Sequence, residues 1–126
     1  MKLLLWAMIG GALGSGARHV VNVGFGRWLG PGFPWWTLFV NVFGGFLMGV
    51  LIEWLALKLQ GSLELRTFLA TGVLGGFTTF SAFSMDFAHL VARHEHLQAI
   101  LYLMGSVALS ILALYAGLWL ARWVLT

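Results

Sequence analysis

The sequence predicts an all-α integral membrane protein with four transmembrane helices in a single domain. Its 126 residues are 60% hydrophobic and 9% charged, and the mean hydropathy is +0.93. Soluble domains carry about 25% charged residues, so this composition excludes an ordinary soluble protein. A membrane helix needs about 20 mainly apolar residues. The segments that meet this requirement lie near residues 3–25, 36–59, 65–90 and 97–125.

The absence of cysteine and the scattered charged residues argue against several classes of function. The chain has no cysteine, so it forms no disulfide, thiolate nucleophile or cysteine metal site. The net charge of +3 comes from seven scattered Lys and Arg residues, which does not indicate a nucleic-acid partner. The sequence places no nucleophile and base together, so we do not expect an enzyme.

The first segment begins like a signal peptide, with Lys2 followed by an apolar run and small residues. We interpret it as a retained helix because the apolar pattern resumes after Arg18. Gly10, Gly14 and Arg18 are spaced by four and share one face, and Gly-x-x-x-Gly spacing indicates close helix packing. Arg18 lies late in the span, where it either snorkels to the interface, anchors the fold or draws anions into a vestibule.

The second segment follows a turn with two prolines and two glycines, residues 30–34. It carries Asn41, the only amide in the middle of a predicted span. Asn41 either forms an interhelical hydrogen bond worth about 1 kcal/mol or contacts something that crosses the membrane. The polar stretch in the third segment favours the second interpretation. Near the far end of this helix, we expect Glu53 and Lys58 to face lipid headgroups.

The third segment contains a stretch rich in glycine and hydroxyl groups, GVLGGFTTFSAFS at residues 72–84. Glycine loses the most backbone entropy on ordering, so the sequence predicts a break in the helix near Gly75-Gly76. Broken backbone at membrane depth is tolerated where it lines a cavity, and transporters build ion sites from the carbonyls that it frees.

Aromatic and hydroxyl side chains follow this break at helical spacing. Phe80 and Phe83 are three residues apart and share a helix face. The hydroxyl groups form two rows, Ser81 and Ser84 in the third segment, and Tyr102, Ser106 and Ser110 in the fourth. A membrane serine often bonds only the carbonyl four residues earlier. Rows in register beside a break instead predict a polar track for an ion.

These motifs resemble those of the CrcB/Fluc fluoride channels, small four-helix membrane proteins of bacteria. The resemblance covers the whole chain and depends on three motifs. They are Gly-Gly-x-x-Gly at 10–14 leading to Arg18, Thr-Leu-x-Val-Asn-x-x-Gly at 37–44, and Gly-Gly-Phe-Thr-Thr-Phe-Ser-Ala-Phe-Ser at 75–84.

The resemblance implies passive fluoride efflux through the bacterial inner membrane by an antiparallel homodimer with two separate pathways. It also implies a structural sodium ion at the dimer centre, held by the backbone carbonyls of Gly75 and Thr78. The implied pathway residues are Thr37, Asn41, Phe80, Ser81, Phe83, Ser84, Tyr102, Ser106 and Ser110. The chain departs from the family pattern at Ala82, where threonine is usual, at Trp36, where glycine is usual, and at His19, where an aromatic is common.

The residue types suit a small, strongly hydrated anion. Asn41 and the hydroxyl groups are hydrogen-bond donors, and the edge of a phenylalanine ring is positive. Conduction also requires binding weak enough for release, which agrees with the lack of a lysine or arginine in the middle of the predicted spans.

Other functions are less consistent with the sequence. A proton-coupled exporter of the small multidrug resistance type requires a carboxylate in mid-membrane, whereas Asp86 and Glu53 lie near the ends of predicted spans. A purely structural subunit does not need Asn41 and the hydroxyl rows. The loop histidines His89, His94 and His96 lack a matching carboxylate on a rigid element, so a metal site is not expected there.

The predicted loops give a weak signal for orientation. Four basic residues fall on one side, Lys2, Lys58, Arg66 and Arg122, and two on the other, Arg27 and Arg93, with Arg18 nearby. Because Lys and Arg bias sets orientation, so small a difference predicts insertion in both directions.

Overall fold

The computed structural model describes residues 1–29, 32–58 and 62–126, with the side chains of residues 28 and 29 excepted. Within these ranges the chain is entirely helical, apart from short connections. Its elements are α1 (Lys2–Leu29), α2 (Trp35–Leu57), α3 (Leu63–Arg66), a π-helix (Thr67–Leu74), α4 (Gly75–Phe77), α5 (Phe80–Ala92) and α6 (His96–Leu125). The prediction of an all-helical protein is confirmed. Part of the predicted turn at residues 30–34 lies outside the described residues, as do residues 59–61 before α3.

Three helical stretches of the described chain are long and apolar enough to cross a membrane. They are Trp35–Leu57, Leu63–Ala92, which joins α3 to α5, and His96–Leu125. α1 has 28 residues but is not among them. Its glycines together with Arg18 and His19 make it less apolar than the other long helices. The structure therefore agrees with the prediction of an integral membrane protein and supports three of the four predicted spans.

The break in the third segment lies at Thr78–Thr79 rather than at Gly75-Gly76. Gly75 is helical, with φ −63° and ψ −37°. The chain becomes extended at Thr78 (φ −83°, ψ 159°) and Thr79 (φ −152°, ψ 123°). Two consecutive β-branched residues favour extended backbone. Gly76 instead allows close packing against α1, because a Cβ at this position would lie 2.7 Å from the carbonyl oxygen of Gly11.

Glycines allow close contact along both main helix pairs. α1 packs against the π-helix, and α2 packs against α6. A Cβ added to Gly14 of α1 would collide with the carbonyl oxygen of Val73. A Cβ added to Gly117 of α6 would collide with the carbonyl oxygen of Phe46. The predicted packing role of the α1 glycines is therefore consistent with the structure.

One charged residue lies elsewhere than predicted. Glu53 does not face headgroups but is only 8% exposed. Its Oε1 accepts hydrogen bonds from Arg122 Nη2 at 3.2 Å and Nε at 3.3 Å. The two residues come from α2 and α6, the most closely packed helices, so the packing of this pair brings the charges together.

Candidate functional site

Asn41 fixes the break between α4 and α5. Its Nδ2 donates to the carbonyl of Thr79 at 3.0 Å, and its Oδ1 accepts from the amide of Thr79 at 2.8 Å. The side-chain amide thus binds one residue of extended backbone as a neighbouring β-strand would. This is the interhelical hydrogen bond that the sequence left open, and it leaves one N–H of Asn41 for another acceptor.

The same contacts release two backbone carbonyls from helical hydrogen bonding. In a continuous α-helix the amide of Thr79 would donate to the carbonyl of Gly75. Instead it donates to Asn41. The amide of Ala82 would likewise donate to Thr78, but it donates to the Oγ1 of Thr79 at 3.1 Å. The carbonyls of Gly75 and Thr78 therefore lose their helical donors.

Six of the predicted site residues meet at a cavity of about 310 Å³, which we call the phenylalanine cavity. It lies where α5 begins, between α2 and α6. Its lining is Asn41, Thr78, Thr79, Phe80, Phe83, Ser106, Val107, Ser110 and Ile111. The rings of Phe80 and Phe83 have centroids 5.5 Å apart. Phe83 is buried, whereas Phe80 is 76% exposed.

Ser106 is the unusual polar group of this cavity. The residue is 5% exposed, and its Oγ has no hydrogen-bond partner among the described residues. An unpaired buried hydroxyl costs about 1–3 kcal/mol. Native structures pair almost all such groups, so an unpaired hydroxyl in a residue that lines a cavity makes Ser106 a candidate donor to a group that enters the cavity.

Thr37 and Tyr102 take part in a second polar cluster, centred on Asp86. Asp86 Oδ2 accepts hydrogen bonds from Thr37 Oγ1 at 2.6 Å and from Tyr102 Oη at 3.0 Å. Both donors are almost fully buried. The rings of Tyr102 and Phe83 have centroids 5.1 Å apart, so this cluster adjoins the phenylalanine cavity.

On its other side, Asp86 lines a larger cavity of about 520 Å³, which we call the Asp86 cavity. It lies where α1 and α5 end and α2 begins. Its lining is Asn22, Gly26, Phe33, Pro34, Trp36, Asp86, His89, Leu90, Ala92 and Arg93. Contacts among the described residues therefore link this cavity, through Asp86 and Tyr102, to Phe83 in the lining of the phenylalanine cavity.

Some predicted site residues lie outside both cavities. Ser84 is exposed, and its Oγ donates to the carbonyl of Phe80 at 3.0 Å. Ser81 is exposed, with its Oγ 3.4 Å from the Oγ1 of Thr79. Arg18 lies one helical turn before Asn22 but does not line the Asp86 cavity.

The histidines do not form a metal site in the described part of the chain. Within that part, no three His, Asp or Glu side chains lie close enough together to hold a metal ion. His94, in the connection before α6, and His96, the first residue of α6, have ring centroids 6.0 Å apart. His89 lies apart from them, on the wall of the Asp86 cavity.

Two residues of the site were missed in the sequence. Thr79 was given no role, although a threonine directly before a helix is a common N-cap. Asp86 is predicted only as a residue near the end of a span. It lies three residues after Phe83, and this spacing puts both on one helix face. The spacing between Phe83 and Asp86 is therefore the sequence signal that could have identified Asp86 as a residue of the site.

Comparison with known proteins gives consistent matches. A family model described as "CrcB-like protein, Camphor Resistance (CrcB)" matches residues 5–118. A protein of Chelativorans sp. (strain BNC1), named fluoride-specific ion channel FluC, is 55% identical over 125 residues, covering 99% of this chain and 100% of the relative. Proteins with the same name from Mesorhizobium japonicum and Hyphomonas neptunium are 51% and 52% identical over 119 and 123 residues. These two alignments cover 94% and 97% of this chain and 95% and 97% of the relatives.

Proposed function

The chain belongs to the CrcB family, and from that membership we propose that it is a fluoride-selective ion channel rather than an enzyme or a coupled exporter. It lets fluoride leave the cytoplasm down its gradient. The species of its relatives imply a bacterial cell membrane, which we take to be the inner one.

The observation that carries this proposal is the unpaired hydroxyl of Ser106 in the phenylalanine cavity. Fluoride is an acceptor only, so it needs donors. Ser106 offers an O–H, and Asn41 retains one N–H after binding Thr79. The rings of Phe80 and Phe83 add positive edges without a full charge. A site of this kind binds an anion and also releases it, as conduction requires.

We place the route of the anion between the two cavities, along the contacts that link Asp86 to Phe83. Thr37 and Tyr102 both donate to Asp86. Asp86 thereby fixes the hydroxyl groups beside Phe83, and we assign it a positioning role. Ser110 extends the lining of the phenylalanine cavity beyond Ser106. We place Ser81 and Ser84 at the edge of the pathway, since both are exposed in the single chain.

The proposal is tested with purified protein in liposomes. Fluoride should leave down its gradient far faster than chloride, without an imposed proton gradient. Equal rates for the two anions, or strict dependence on a proton gradient, would contradict a channel and favour the exporter alternative.

Ser106→Ala tests the assignment of the site. Losing a hydrogen bond to an anion should lower fluoride flux by about tenfold or more. Stability should not fall, because the hydroxyl has no partner in the part of the chain that the structure describes. Ser62→Ala is the matched control, since Ser62 lies outside both cavities and its side chain makes no capping hydrogen bond to α3. Equal flux in the two variants would remove Ser106 from the pathway.

We also propose that a structural sodium ion is held by the carbonyls of Gly75 and Thr78. Both have lost their helical donors to Asn41 and Thr79, and a hard cation accepts oxygen ligands. When bound, the ion would supply a fixed positive charge that joins two chains. Replacing sodium with a bulky organic cation should weaken dimerisation, measured by cross-linking in detergent. A dimer equally stable without sodium would contradict this assignment.

The assembly that we propose is an antiparallel homodimer with two pathways, in which α1 is the fourth membrane span. Phe80 lines the phenylalanine cavity, but its ring is exposed in the single chain. This side of the cavity is therefore open, which supports an assembly in which a second chain covers it. α1 packs against both the π-helix and α4, which supports its position inside the membrane.

A further inference from the structure

The Asp86 cavity carries an ionisable group that the proposed route does not use. Asp86, His89 and Arg93 follow one another along α5 at spacings of three and four, and all three line this cavity. Residues with these spacings share one helix face, so the wall carries a carboxylate, an imidazole and a guanidinium in order. Arg93 follows directly after the last residue of α5.

The other walls contribute no further charge among the described residues. α1 provides Asn22 and Gly26, and the segment that leads into α2 provides Phe33, Pro34 and Trp36. The two charges beside His89 are partly engaged. Asp86 accepts from Thr37 and Tyr102. Arg93 donates to the carbonyl of Gly32 at 3.1 Å and lies 3.6 Å from Glu95. The imidazole of His89 is therefore the group that decides the net charge of the cavity.

We propose that His89 makes the Asp86 cavity a pH-sensitive collecting site for small anions, a property that rests on the proposed channel function. Histidine changes charge between about pH 5 and pH 8. When His89 is protonated, the cavity gains a positive charge, which raises the local concentration of anions at the entrance to Asp86 and Phe83. When it is neutral, the carboxylate of Asp86 is offset only by Arg93.

The first test measures fluoride efflux at low ionic strength, where surface charge is least screened. Fluoride is kept below saturation, and leakage from protein-free liposomes is subtracted at each pH. Lowering the pH on both sides from about 8 to about 6 should raise the flux of the unmodified protein about two- to threefold. The rise should disappear in His89→Gln. It should persist in a triple variant with His19, His94 and His96 each replaced by glutamine. A rise that survives in His89→Gln, or no rise in the unmodified protein, overturns the proposal.

A second measurement separates charge from shape. The chain has no cysteine, so His89→Cys introduces a unique thiol. Methanethiosulfonate reagents then attach either an ammonium or a sulfonate of similar size in detergent, before reconstitution. The ammonium should give about two- to threefold more flux than the unlabelled variant, and the sulfonate correspondingly less. His94→Cys, labelled in the same way, should respond weakly to either reagent.

Equal flux after the two labels on His89→Cys would overturn the collecting role of this residue. That result is distinguishable from failure of the channel function. If the unmodified protein releases no fluoride at any pH, the proposed function itself fails. If the unmodified protein conducts fluoride, but neither His89→Gln nor labelling of His89→Cys changes the flux, then only the proposed collecting site is contradicted.

Discussion

Phe80 and Phe83 occupy unlike environments although they share one helix face. Phe83 is buried against Tyr102, whereas Phe80 is exposed in the single chain. Replacing Phe83 therefore disturbs the core as well as the cavity. Replacing Phe80 removes a positive ring edge with little effect on folding, which makes it the sharper test of the aromatic role.

We expect Phe80→Ile to lower fluoride flux by about two- to tenfold, because the ring edge is lost while most of the bulk remains. The free energy of unfolding should change by less than about 0.5 kcal/mol, as for other surface substitutions. Liposome flux and unfolding in detergent measure the two effects. Phe39→Ile is the control, since Phe39 is also partly exposed but lies outside the phenylalanine cavity. Unchanged flux in Phe80→Ile would mean that the ring only fills space.

Residue type, spacing and the family resemblance together predict much of the residue-scale site. Asn41 is the amide in mid-span, the intervals of three and four group Phe80 with Phe83 and Ser106 with Ser110, and all five residues line one cavity. The hydrogen-bond partners were not predictable in this way. The side-chain oxygen and one N–H of Asn41 form hydrogen bonds with the backbone of Thr79. Both hydrogen-bond partners of Asp86 come from other helices. Such pairings depend on how the helices pack, which the spacing within one helix does not determine.

At the scale of helices, the seam between α1 and the π-helix determines where the polypeptide breaks. The glycines of the third segment were expected to interrupt the helix, since they destabilise helix interiors. In the structure this weakness is offset by contact, because Gly76 lies against Gly11 and Gly14 lies against Val73. Composition gives the cost of a glycine but not the neighbour that compensates for it. The interruption therefore falls two residues later, where threonines favour extended backbone.

Gly14→Ala tests this seam. The added methyl group would collide with the carbonyl of Val73 and approach the amide nitrogen of Phe77 to 2.9 Å. We expect a loss of about 1–3 kcal/mol in the free energy of unfolding, typical of overpacking. Gly16→Ala is the matched control, because a Cβ there meets nothing within 4 Å. It should be neutral or more stable, since alanine is favoured over glycine in helices by about 1 kcal/mol.

Denaturant titration of both variants in detergent distinguishes these outcomes. If Gly14→Ala is as stable as Gly16→Ala, the seam tolerates expansion and the glycine is not required for packing. Fluoride flux adds a second readout, because displacing the π-helix also displaces Gly75 and Thr78. We expect flux to fall in Gly14→Ala and to stay unchanged in Gly16→Ala.

At the scale of the whole molecule, orientation in the membrane follows from the distribution of Lys and Arg. α1 and the third segment end at the same side as the start of α2, so Arg27 and Arg93 share that side. Lys2, Lys58, Arg66 and Arg122 lie on the other. The Asp86 cavity opens on the side of Arg27 and Arg93. An antiparallel pair would therefore present one such cavity to each face of the membrane.

A bias of four basic residues against two is weak, so we expect the chain to insert in both directions. Opposed copies then form a closed two-fold dimer. The same pairing brings the two breaks together, as a shared sodium ion between Gly75 and Thr78 of each chain requires. A reporter fused to the C-terminus should be found on both sides of the membrane in one population. Adding lysines to the side of Lys2 and Lys58, which already carries more basic residues, should shift that population toward one orientation and lower fluoride flux per protein, since fewer opposed pairs form. A single location for every molecule of the unmodified protein, with normal flux, would contradict the antiparallel arrangement.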